Sequence, residues 1–195
     1  MRTGLFFGTF NPVHRGHEAL VESFLNSECI EDLWVILTPN PPHKHISSLA
    51  SFQDRWNMLE LAFGGRSDLK LSDVEQRMNP PNYTLKTLSF LTTSFPDHDF
   101  MLCIGSDTLQ DLPKWYEFEK ISQKSKLLVA ERPDTDTSIP TGLGSFDVHF
   151  CEHEKVNISS TGIRKLLMES GELLSDHLHP EVEAYIRRRG LYKKE

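Results

Sequence analysis

The chain has 195 residues, of which 38% are hydrophobic and 25% charged, with a net charge of −7 and a pI near 5.7. That length bounds a single domain, 1–195, with a helical C-terminal portion from about 158 to 195. The acidic balance excludes a broad nucleic-acid footprint, no apolar run approaches the roughly 20 residues of a membrane span, and three scattered cysteines (Cys29, Cys103, Cys151) without a leader-like start predict a cytoplasmic setting.

Gly4-Leu5-Phe6-Phe7 reads as a buried strand, and a helix is expected from about Val13. There Ala19, Leu20 and Phe24, with Val21 and Leu25 on the next face, recur at helical spacing. Between them, Gly8 can take angles closed to other residues and admits a ligand close to the main chain. Thr9 offers a hydroxyl, and Pro12 is expected to end the strand. A helix start presents free amides to an anion. His14 and His17, three apart, share one face of that first turn. Gly16 between them costs helix propensity, so room beside the backbone is its expected compensation. The segment therefore suits polyphosphate. Zinc needs three or four ligands, which the scattered cysteines do not supply.

Leu33-Trp34-Val35-Ile36-Leu37 is the second strand, followed by a proline-rich loop over 38–45. Ser51 to Phe63 reads as a helix with Phe52, Trp56, Leu59 and Phe63 on one stripe. Leu69 to Leu71 is a short strand, and Thr84 to Leu91 a helix. Phe100 to Ile104 is the fourth strand, closed by Gly105, and Lys126 to Ala130 the fifth. A surface loop is expected over 134–145, then a short sixth strand over 147–150. Ser159 can cap a helix over 160–168, with Gly171 after it. Pro180 opens the last helix and Gly190 stops it, with Arg187, Arg188 and Arg189 in its final turn. Strands alternating with helices predict an α/β protein. The expected form is a Rossmann-like, doubly wound, mainly parallel sheet with helices on both faces and a helical C-terminal end. Ligands in such sheets sit at the carboxyl ends of strands near the switch in strand order, where Gly8 and Gly105 would fall.

Ile158-Ser159-Ser160-Thr161-Gly162-Ile163-Arg164 opens a helix with two hydroxyls, free amides and a fixed positive charge. Alone it reads as a helix cap with a surface arginine; beside the first motif it reads as a second phosphate-binding element. Together, Gly8-Thr9-Phe10-Asn11-Pro12 with His14-x-Gly16-His17, and Ser159 through Arg164, resemble the nucleotidyltransferase superfamily of adenylyl- and cytidylyltransferases. Within it the chain is similar to the bacterial nicotinate-nucleotide adenylyltransferases. The further segments that carry this are Pro41-Pro42-His43-Lys44, Asn82-Tyr83-Thr84 with Thr87, Gly105-Ser106-Asp107 with Leu112-Pro113-Lys114-Trp115-Tyr116, and Glu131-Arg132-Pro133. It departs from that family at Phe7, often a glycine, at Asn11, often an aspartate, and at Asp134, usually a glycine.

The resemblance implies transfer of the adenylyl group of ATP to nicotinate mononucleotide, giving deamido-NAD and pyrophosphate in NAD biosynthesis. It implies that His14, His17 and Arg164 stabilise the leaving pyrophosphate. Gly8, Thr9, Phe10, Lys44, Gly105, Asp107, Ser160 and Thr161 would hold ATP. Thr84, Trp115, Tyr116 and Arg132 would hold the mononucleotide, its ring on Trp115 and its carboxylate at backbone amides near Thr84 and Tyr116. Asp107 reads equally as a helix cap, and Trp115 alternatively as a core aromatic. Magnesium is expected through phosphates and water, with no metal ligand from the protein. Nicotinamide mononucleotide or phosphopantetheine as the acceptor, and a nucleotide-binding module without turnover, are the competing readings. Homo-oligomerisation is left open.

Overall fold

Alternation along the strands explains how this sequence builds two cores at once. In β1 (Arg2–Gly8) Leu5 packs on one face of the sheet and Phe6 on the other. In β2 (Asp32–Leu37) Leu33, Val35 and Leu37 face one way, Trp34 and Ile36 the other. The pattern repeats in β4 (Asp99–Gly105) and β5 (Lys126–Glu131), while β3 (Leu69–Ser72) and β6 (Val148–Glu152) are the edges. A computed structural model of the chain describes residues 1–41, 49–131, 139–140, 143–144, 146–154, 156–169 and 176–193.

Among the described residues the sheet has six strands in the order β3-β2-β1-β4-β5-β6, every pairing parallel. The chain steps outward from β1 to β3, then returns to the other side of β1 for β4. The switch in strand order therefore lies between β1 and β4, as the doubly wound reading expects. One face is covered by α1 (Arg15–Leu25), α2 (Phe52–Phe63) and α7 (Pro180–Arg189), through Leu20, Val21, Met58, Leu59, Val182 and Ile186. The other is covered by α3 (Thr84–Ser94), α4 (Ser106–Asp111) and α5 (Phe118–Ile121), through Leu85, Leu88, Leu109 and Ile121. α6 (Ser160–Glu169) adds Ile163 to the first face.

Four details differ from the sequence reading. β1 closes at Gly8, so Pro12 lies in the loop beyond it. The buried part of α2 begins with Asp54 and Arg55, whose polar groups all find partners, while Phe52 and Trp56 stack at 6.3 Å on a half-exposed flank. Leu143, in the expected surface loop, is fully buried in the second core; most of that loop, like Gly171, lies outside the described residues. α4, α5 and two short 3-10 turns, Val74–Arg77 and Leu112–Lys114, carry too few residues for periodicity to reveal them.

The C-terminal helix is fastened to α2 and to the first loop. Tyr185 Oη and Arg189 Nε donate to Asp54 Oδ1 at 2.9 and 3.1 Å. Tyr192 Oη donates to Asn11 Oδ1 at 2.7 Å. Burial works to raise the Asp54 carboxyl, but hydrogen bonds from Ser51, Tyr185 and Arg189 outweigh it and hold it below the usual carboxylate range. A carboxyl depressed in the folded state adds stability at neutral pH that is lost as pH falls through its folded value. Tyr192→Phe removes one donor from a buried acceptor that keeps a second, the Ala50 amide at 3.1 Å. The expected cost in urea unfolding is about 1 kcal/mol.

Candidate active site

A cleft of about 750 Å³ lies over the carboxyl ends of β1 and β4. One end is built by the loop after β1 and the start of α1. His14 is the N-cap of α1, and its backbone amide donates to His17 Nδ1 at 3.2 Å. With Nδ1 accepting, a neutral His17 keeps its proton on Nε2. The two imidazoles lie 3.7 Å apart at 31°, and the Phe10 ring meets His17 edge-on at 4.9 Å. His17 lines the cleft, whereas His14 is buried behind it.

Two glycines serve side chains rather than an open space. A Cβ on Gly16 would come within 3.1 Å of the His14 ring, so the room that this glycine provides is occupied by His14. A Cβ on Gly8 would lie 2.5 Å from Phe10 Cζ. The left-handed backbone in this loop belongs to Phe10 itself, at φ 45°. Such a conformation costs of order 1–3 kcal/mol in a residue with a side chain and persists where packing over-determines it. Here Phe6 and His17 hold the ring.

The segment Ser159 to Arg164 closes on the loop after β1 across the length of the chain. Arg164 donates from Nη1 to the Asn11 carbonyl at 2.8 Å and from Nη2 to Thr161 Oγ1 at 3.2 Å. Ser160 Oγ donates to the Pro12 carbonyl at 3.0 Å, and Ser159 Oγ accepts from the Gly162 amide at 3.1 Å. Ser159 thus fulfils its expected capping role. Ser160, Thr161 and Arg164 join Gly8, Thr9, Phe10 and His17 around one cleft, with Gly105 and Asp107 on the β4 side. Asp107 stands in the first turn of α4, whose N-cap is Gly105.

At the other end, Thr84, Trp115 and Tyr116 line the cleft. Thr84 is the first residue of α3, and Tyr116 stacks on Tyr83 at 4.4 Å. Trp115 is half-buried between the second core and the cleft. Lys44 and Arg132, with His43 and His45, lie outside the described residues. Among the described residues no three His, Cys, Asp or Glu side chains converge as a metal site, and no helix is long and apolar enough to cross a membrane.

Sequence reasoning passed over Arg55, which is 1% exposed. Its guanidinium donates to the carbonyls of Thr9 (2.8 Å), Thr38 (2.7 Å), Pro39 (2.8 Å) and Ala50 (3.1 Å). Burial pushes it down to about 10, so it stays protonated at neutral pH. Its signal was positional: it lies three residues after Phe52 and four before Leu59, on the inward side of α2.

The family model of the cytidylyltransferase-like proteins matches residues 5–166, and the chain belongs to that family of nucleotidyltransferases. Its relatives over the full length include proteins named as probable nicotinate-nucleotide adenylyltransferases. The probable nicotinate-nucleotide adenylyltransferase of Flavobacterium psychrophilum is 34% identical over 194 residues, covering 100% of both chains. That of Caldicellulosiruptor saccharolyticus is 35% identical over 202 residues with the same coverage. Among solved structures, Plasmodium falciparum nicotinic acid mononucleotide adenylyltransferase complexed with NaAD superposes with a TM-score of 0.83 at 25% identity, over 98% of this chain and 97% of that one.

Proposed function

We propose that the protein adenylylates nicotinate mononucleotide with ATP, giving deamido-NAD and pyrophosphate. The observation that carries this reading is the convergence of His17 and Arg164, from opposite ends of the chain, on one cleft whose far wall is Thr84 and Trp115. A mononucleotide 5′-phosphate oxygen attacks the α-phosphorus of ATP, the bond to the bridging oxygen breaks, and that oxygen leaves with its electron pair as pyrophosphate. The attacking group is already anionic, so the protein needs to align and neutralise rather than supply a nucleophile.

His17 Nε2–H and the Arg164 guanidinium are the donors for the charge that develops on the leaving group. Both are pre-organised, His17 by the His14 amide and Arg164 by the Asn11 carbonyl. His14 acts through His17 in this reading, and Lys44 completes the triphosphate contacts. The nicotinate ring lies on Trp115, its carboxylate meets first-turn amides of α3 and the Tyr116 amide, and Arg132 contacts the mononucleotide phosphate or ribose. A hard cation brought in with ATP would be held through the phosphates and water at this end of the cleft, where the Asp107 carboxylate also lines the wall. When bound, magnesium adds charge neutralisation on the phosphates.

Incubation with ATP, magnesium and either nicotinate or nicotinamide mononucleotide, following pyrophosphate, tests the reading. Turnover with the acid preferred is expected. Turnover of neither overturns the reaction, and preference for the amide overturns the specificity.

A further inference from the structure

Glu75 takes no part in that chemistry, yet it is 2% exposed and lines the cleft beside Thr38, Asn82 and Thr84. It sits in the 3-10 turn Val74–Arg77 after β3. Its carbonyl accepts from Asn82 Nδ2 at 2.9 Å, and its Oε1 accepts from the Thr87 hydroxyl at 2.8 Å. Among the described residues, buried Oε2 accepts no hydrogen bond of normal geometry. Thr87 follows Thr84 by three residues in α3, about 4.5 Å along the helix axis. A ligand carboxylate at the first-turn amides therefore comes within about one helical turn of the Glu75 carboxyl. Two ionised carboxylates that close in a poorly hydrated site oppose each other, and one takes up a proton.

We propose that Glu75 is a specificity-determining residue: with a proton on Oε2 it admits a mononucleotide bearing a carboxylate, and once ionised it rejects the acid while sparing the amide. The inference rests on the reading of this end of the cleft as the mononucleotide site. Burial raises the Glu75 carboxyl, with the Thr87 hydroxyl and then that of Thr38 pulling it back. Among the described residues, Asp107 of α4 also lines the cleft, while the charged groups nearer Glu75 have partners of their own. Asp73 pairs with Arg77 at 2.8 Å on the same turn. Lys86 of α3 donates to the Pro81 carbonyl at 3.3 Å, and Lys114 after β4 pairs with Asp111 at 2.6 Å. Tyr83 and Tyr116 stack on each other, and among the described residues of the loop after β2 the cleft is lined by uncharged Thr38 and Pro41.

The test is the ratio of KM for nicotinate mononucleotide to KM for nicotinamide mononucleotide, from about pH 6 to about pH 9, in wild type and E75Q. The ratio cancels titration of the ribose phosphate and of the histidines, which both substrates share. In wild type it should rise with pH, approaching about tenfold per unit once Glu75 is ionised. E75Q, uncharged and with an N–H in place of the Oε2 proton, should hold it flat. Thr87→Val removes a hydrogen bond that favours the ionised form, so the rise should move to higher pH. A flat ratio in wild type, or an unchanged rise in E75Q, overturns the proposal. So does loss of both substrates in an E75Q protein that melts like wild type, since Glu75 would then be an acceptor for a hydroxyl common to both. Failure of wild type to use the acid at any pH instead overturns the underlying assignment.

Discussion

His17→Ala should lower the single-turnover rate of pyrophosphate formation roughly 100- to 1,000-fold, the usual cost of deleting one pre-organised donor to a developing charge. The mononucleotide KM should move by less than about threefold, because the lost contact is made chiefly in the transition state. The structure gives reasons to expect so large a loss from one side chain. Nδ1 is committed to the His14 amide, so a single nitrogen serves the cleft. The ring is held between His14 and Phe10 and does not need to be ordered when ATP arrives. His17→Asn retains a side-chain N–H and should recover part of the rate. Single-turnover rates that survive His17→Ala in a normally folded protein would remove the residue from the chemistry. A rise in mononucleotide KM with the single-turnover rate at saturation unchanged would reassign it to ground-state binding.

What the sequence made legible was whatever repeats or punctuates. Runs such as Leu33 to Leu37 declare strands because both faces of a parallel sheet are covered. Pro180 and Gly190 mark the last helix because each suits only its own end. The two phosphate elements could be read because glycines, hydroxyls and cations there break the surrounding apolar pattern. The supporting residues were hidden for the opposite reason. Arg55 and Asp54 resemble ordinary surface charges until the loops beside them are known to expose carbonyls inward. Gly16 looked like space for a ligand because a sequence does not show where the His14 ring turns. Glu75 lies on a 3-10 turn too short to have a period, and its burial depends on Thr87 and Asn82, which approach from a helix and loop later in the chain.

Arg55→Met should cost roughly 3–5 kcal/mol of folding stability, because four carbonyls, one buried and three partly buried, lose a donor and each unmet buried acceptor costs about 1–3 kcal/mol before relaxation. In a chain of this length that corresponds to a melting temperature lower by about 10 °C or more. The loss should reach the reaction too. The four carbonyls belong to three separate segments: the loop after β1, the loop after β2, and the approach to α2. None can hydrogen-bond to another, since carbonyls only accept. One planar fork with five N–H groups satisfies all of them and fixes their spacing, including Thr9, which lines the cleft. Arg55→Lys should recover only part of both losses, because a compact ammonium cannot span the same four oxygens. A melting temperature within about 2 °C of wild type for Arg55→Met, with kcat/KM for ATP unchanged, would show that the loops hold their positions without it. The charge itself favours arginine over an apolar filler: with no acidic partner among the described residues, it is stabilised chiefly by carbonyl dipoles and by the Phe52 ring 5.8 Å away, so removing any one segment weakens its hold on the other two.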